Sequence, residues 1–139
     1  DVSYCSNELG AELRLDIASA YPEAAGLKRW QRTLRLERGS DPKIQVIDEF
    51  SLYAPSSDLV VSLMAAREPQ IKDGNTVLLG DIVLVFQGEG LRLLRVEHIS
   101  IEDARLRSSW GDSLYRLLLQ PDRPLQTGRW TLRFSQLPV

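Results

Sequence analysis

Leu27-Lys28-Arg29-Trp30-Gln31-Arg32-Thr33-Leu34-Arg35-Leu36-Glu37-Arg38, then Gly39-Ser40-Asp41-Pro42, then Lys43-Ile44-Gln45-Val46-Ile47-Asp48-Glu49-Phe50-Ser51-Leu52-Tyr53, is the stretch that decides the fold. In its first part Trp30, Leu34 and Leu36 fall on one side, and Gln31, Thr33, Arg35 and Glu37 on the other. That two-residue period belongs to a strand with one buried face. The second part repeats it, with Ile44, Val46, Phe50 and Leu52 together. Turn-forming residues separate the two, so an antiparallel hairpin is expected. Each apolar face carries one charged intruder, Arg32 and Asp48. The obvious register brings these two together on the inner face, where a bidentate guanidinium–carboxylate pair satisfies both charges.

Outward from this hairpin the same rhythm continues. Ala11 to Ile17 alternates Leu13, Leu15 and Ile17 against Glu12, Arg14 and Asp16, a half-buried strand. Residues 1 to 10 show little pattern and read either as a ragged start or as the remnant of a strand whose beginning was cut away. Tyr21-Pro22-Glu23-Ala24-Ala25-Gly26 is a connection in which Pro22 pushes Tyr21 into an extended conformation and Gly26 supplies a positive φ. Leu59 to Ala65 is nearly all apolar and reads as a central strand buried on both faces. Gly80-Asp81 separates Thr76–Leu79 from Ile82–Phe86 as a tight turn. In Leu91 to Ile101 the alternation slips, because Leu91 and Leu93 have one parity and Val96 the other; a β-bulge near Leu94 restores the phase. Leu114–Gln120 and Arg129–Phe134 close the chain, the last grouping Trp130, Leu132 and Phe134.

Seven prolines and nine glycines divide the 139 residues into short segments, none of ten or more with a convincing helical period. The expected fold is all-β: one antiparallel β-sandwich domain over residues 1–139, with about nine to eleven strands in two aligned sheets. At 43% hydrophobic content the chain can bury one core without disulfides or metals. A net charge of −2 gives no electrostatic pull toward nucleic acid, and no 20-residue apolar run exists to span a membrane. Cys5 is the lone cysteine, so no intrachain disulfide forms. Arginine outnumbers lysine 14 to 3, which base composition explains more simply than ligand binding does.

Two blocks carry a resemblance. The first is Asp16-x-x-x-Ala20-Tyr21-Pro22-x-x-Ala25-Gly26-x-x-x-Trp30-x-Arg32, leading to Asp48-Glu49-Phe50; the second is Asp103-x-x-Leu106-x-x-x-Trp110-Gly111-x-x-Leu114-Tyr115-Arg116. Together they resemble the C-terminal β-sandwich of heparinase II/III-type polysaccharide lyases over roughly residues 11 to 134, the second block falling where that family has a late strand pair. Such enzymes cleave acidic polysaccharides by β-elimination. They remove the proton beside a uronate carboxylate and expel the 4-linked oxygen, using Tyr and His with Asn or Arg nearby. In the family these groups come chiefly from an α-helical toroid preceding the sandwich, and nothing in this sequence corresponds to it. The resemblance therefore implies a piece of a larger bacterial protein, periplasmic or secreted if the parent degrades glycans. Its partners would be the upstream catalytic domain and an acidic polysaccharide. Its own part would be to brace the toroid and line the substrate cleft, with no catalytic residue in this chain.

Single residues sharpen that expectation. Tyr21 either faces the toroid across the cleft or covers the sandwich edge with its hydroxyl in water. Asp16 matches the acidic ligand of a metal that the family's sandwich can hold with two histidines. One histidine would lie before Asp1, and Leu59–Leu63 contains no second, so no metal or cofactor is expected here. Asp16 then reads as a turn or ion-pair residue that still belongs to the cleft or domain interface. Trp30 and Trp130, among apolar neighbours, read as core, whereas Trp110, in a loop before Gly111, is a candidate for sugar stacking. His98, the only histidine, reads as structural. Arg92, Arg95, Arg105 and Arg107 read as a solvated face. The rival functions are a stand-alone module binding acidic glycans through Trp110 and these arginines, and an oligomerisation domain.

Overall fold

A computed structural model describes residues 2–137. Its strands and helix follow in the order β1 (Val2–Ser6), β2 (Gly10–Asp16), β3 (Leu27–Glu37), β4 (Lys43–Ser56), β5 (Val61–Ala65), β6 (Gln70–Ile71), β7 (Thr76–Leu79), β8 (Ile82–Gly88), β9 (Leu91–Ser100), α1 (Ala104–Trp110), β10 (Ser113–Pro121) and β11 (Leu125–Gln136). Two antiparallel sheets form a sandwich: an eight-stranded one ordered β1-β2-β3-β4-β11-β8-β7-β6 and a three-stranded one ordered β5-β10-β9. The all-β, two-sheet architecture read from the period-2 pattern is present.

The core lies where the sheets face each other. Trp30, Phe50, Leu84, Phe86, Trp130 and Leu132 of the larger sheet meet Val61, Leu117 and Leu119 of the smaller. The β3–β4 register pairs Trp30 with Phe50, Arg32 with Asp48 and Leu34 with Val46. Phe50 stacks on Trp30 at 4.9 Å between ring centroids and tilts against Trp130 at 4.6 Å. It fits because its β11 partner is Gly128, whose backbone leaves no room for a side chain: a Cβ there would lie 2.5 Å from the Phe50 ring. On β9, Arg95 pairs with Leu118 but Leu93 pairs with Leu119, so Leu94 is the extra residue of a bulge.

Three expectations need correction, and of the two readings of the chain's start the strand is the one present, from Val2 to Ser6. β1 pairs with β2 through a turn in which Asn7 Oδ1 accepts from the backbone N–H of Leu9 and Gly10, local bonding that carries no hydrophobic signature. Leu59–Ala65 is not a central strand buried on both faces. Its strand, β5, is an edge of the smaller sheet, and Val60 and Met64 are half exposed. The second resemblance block is not a strand pair throughout: its first half is α1. Asp103 caps that helix by accepting from Arg105 N and Leu106 N, and Gly111 ends it at φ 82°. Trp110 accordingly closes a helix rather than sitting in a loop. Among the described residues no helix is long and apolar enough to cross a membrane.

Candidate functional site

The smaller sheet covers only the middle of the larger one. Its strand β5, with Leu59 leading in, stands over β3, β4 and β11, and a groove of about 650 Å³ opens between them. Leu34, Val46, Leu63 and Leu132 line it with apolar surface, while Arg32, Tyr21, Ser56, Asp58 and Ser62 supply the polar groups.

Asp48 is the buried charge of this region, and Arg32, partly exposed to the groove, is its partner. Arg32 Nε donates to Asp48 Oδ1 at 2.8 Å and Nη2 to Oδ2 at 2.7 Å, the two-pronged geometry that fits a guanidinium to a carboxylate. The Asp48 side chain is 3% exposed and that of Arg32 33%. The hydrogen bond to Asp48 is the main cause that raises the Arg32 pKa above its ordinary value, with the nearby Tyr21 contributing.

Tyr21 reaches the groove through local chain chemistry. Two short 3-10 turns, Ala18–Ala20 and Glu23–Ala25, flank it; Tyr21 is extended at φ −104° and ψ 150°, and Gly26 takes φ 66°. Asp16 anchors this loop by accepting from Ala18 N at 2.9 Å and Trp30 N at 3.2 Å. The Tyr21 ring, half exposed, lines the groove. Asp16, Tyr21, Gly26, Trp30 and Arg32 thus act together: the first holds the loop, the second is presented, the last two tie the strand beneath to the core.

Trp110 does not join them. It ends α1 ahead of β10, whose Tyr115 pairs with Ala65, whereas the groove lies at the opposite end of β5, where Val61 pairs with Leu119. Its side chain is exposed. The four arginines do not converge either: Arg95 is bound to Glu97 at 2.6 Å, and Arg107 donates to Ile101 O at 2.8 Å. His98 packs edge-on against Tyr115 at 5.3 Å. No group of three or more His, Cys, Asp or Glu arranged for a metal occurs among the described residues. Sequence reasoning missed the groove's apolar wall, although the nearly continuous apolar run from Leu59 to Ala65 was its signal.

Backbone N–H bonds, that from Ala18 first, hold the Asp16 carboxyl below its usual pKa, and the Arg129 N–H does the same for Glu89. A carboxyl whose folded pKa is depressed contributes stability above the unfolded value, and that contribution is lost as pH falls through the folded one. The thermal midpoint is therefore expected to drop as pH is lowered below about 4. Asp16→Ala should cost about 1 kcal/mol at pH 7 and shrink this acid-induced drop, both read from denaturation curves.

The chain matches no protein-family model, and no curated protein matches it.

Proposed function

We propose that the chain is the non-catalytic β-sandwich of a heparinase II/III-like polysaccharide lyase, bracing a helical catalytic toroid and walling one side of a cleft for uronate-containing polysaccharides. The observation that carries this is the construction of the Tyr21 loop. Asp16, Tyr21, Pro22, Gly26, Trp30 and Arg32, the motif residues, build one device that holds a tyrosine half exposed at the edge of the sandwich. A phenol so placed can donate to a sugar hydroxyl or carboxylate. Proton abstraction and leaving-group protonation would fall to the toroid.

Two measurements test this. The purified chain incubated with heparin, heparan sulfate or alginate should give no rise in unsaturated-uronate absorbance. The coding sequence upstream of Asp1 should specify helical repeats bearing Asn, His and Tyr. A rise in absorbance, or an upstream region without such repeats, would overturn the proposal.

A second reading, an acidic-glycan-binding module, draws on another observation. Arg129 and Arg133 stand exposed on the outer face of the larger sheet beside Gln45, Gln87 and Thr131, around a shallow depression. Neither forms an ion pair among the described residues. Retardation in affinity electrophoresis through alginate or heparin, abolished by Arg133→Glu, would favour the module; unchanged migration would favour the bracing domain.

A further inference from the structure

Four strands end the two sheets, and they are not alike. β6 has only two residues, and β9 carries Arg92, Arg95 and Glu97 together with the Leu94 bulge. Short length, charge and bulges are the devices that keep an edge from pairing with another chain. β1 (Val-Ser-Tyr-Cys-Ser) and β5 (Val-Ser-Leu-Met-Ala) have none of them. These two unguarded strands bound the same region, the wing formed by β1, β2 and the adjoining part of β3. Its inner face continues the core rows: Tyr4 opposite Leu13, Leu13 opposite Leu34, and Leu34 opposite Val46. Yet Val2 is 73% exposed, Tyr4 69% and Ile44, near the wing, 50%. Among the described residues, Val61–Ala65 makes no backbone hydrogen bond except to β10.

We propose that β5 is a strand-addition site, which accepts one extended segment of the catalytic partner polypeptide along its free edge, over the inner face of β2 and β3. Strands repeat about every 4.8 Å and facing sheets lie about 10 Å apart, so a strand added to β5 falls above the uncovered leucines. Backbone bonds supply affinity and alternate side chains fill the groove. Asp58 is the groove's one charge without an ion pair among the described residues, so the incoming segment carries a Lys or Arg beside it.

A second copy of the chain does not fit. Pairing β5 with its symmetry mate would set the larger sheets side by side, and the two wings, each projecting about 10 Å past β5, would occupy the same space. Pairing through β1 would join five residues per copy, leave both apolar faces in water, and fall far short of the roughly 1,200 Å² a stable interface buries.

The identity of the partner rests on the proposed function; the acceptor edge does not. The test is amide hydrogen exchange on the purified chain with and without a short synthetic peptide, alternating threonine and valine and ending in lysine, at millimolar concentration. The peptide should slow exchange within Val61–Ala65 by about tenfold or more, equivalent to ~1.4 kcal/mol. Leu34→Glu, on the wing, should abolish the effect, and Glu49→Gln, on the opposite face, should leave it. Ile44→Glu serves as the second wing variant if Leu34→Glu does not fold. Unchanged exchange at β5, protection at β1 instead, or a dimer in sedimentation that hides β5 would overturn the inference and leave the lyase reading standing. An upstream region without helical repeats would overturn that reading and leave the acceptor edge.

Discussion

Arg32→Ala is expected to lower unfolding free energy by about 3 kcal/mol, the lower end of the cost of removing one member of a buried ion pair. The loss is not the worth of the contact. It is the cost of leaving the Asp48 carboxylate, 3% exposed, without its cation in the apolar interior. The lower end applies because the Arg32 side chain is one-third exposed to the groove, so water can enter where the guanidinium was. Two companion results follow. Arg32→Lys retains charge but not the paired Nε and Nη2 donors, and recovers only part of the loss. The double variant Arg32→Met, Asp48→Leu removes both charges and should return to within about 1 kcal/mol of the native chain. Urea midpoints at pH 7 give every comparison. A change below about 0.5 kcal/mol in Arg32→Ala at pH 7 would mean that the pair is not the constraint the register makes it.

That pair shows how far the sequence could be read. Arg32 and Asp48 each interrupt an alternating apolar row, and the Gly39–Pro42 turn fixes which positions meet, so partner and geometry follow from local rules. The Leu94 bulge was legible for the same reason, as a change of parity inside one strand. Where local bonding or sheet boundaries decide, the sequence is silent or misleading. Asn7 turns the chain through two backbone N–H bonds without hydrophobic periodicity. The apolar run ending at Ala65 says that a strand forms, but not that the sheet stops there and leaves Met64 in solvent. The groove is the consequence of that boundary. Its floor residue, Arg32, and its rim residue, Tyr21, could be named from the motif; its far wall, from Leu59 to Leu63, depends on how two sheets of unequal width overlap.

Trp130→Ala should be at least as damaging as Arg32→Ala, at about 4 kcal/mol, within the range for removing a buried tryptophan. Trp130 is 1% exposed and sits between the sheets, 4.6 Å from Phe50 and 6.0 Å from Trp30 by ring centroids. Its Nε1 donates to the Glu89 carbonyl at 3.1 Å, which ties the β8–β9 turn to the core. The surroundings have little means of collapsing into the void, because two of the neighbouring positions are glycines with no side chain to move. Gly88 is its β8 partner, and Gly128 already lies beneath Phe50. Trp130→Phe keeps most of the ring contact and loses the N–H donor. Glu89 is exposed, so water can replace that donor and the cost should fall to about 1–2 kcal/mol. The contrast with Trp110→Ala is the informative one. That side chain is exposed at the end of α1, and its removal should shift stability by no more than about 0.5 kcal/mol. Chemical denaturation of the three variants separates a tryptophan that joins two sheets from one that meets solvent. A Trp130→Ala loss below about 1 kcal/mol would contradict a core centred on Trp30, Phe50 and Trp130.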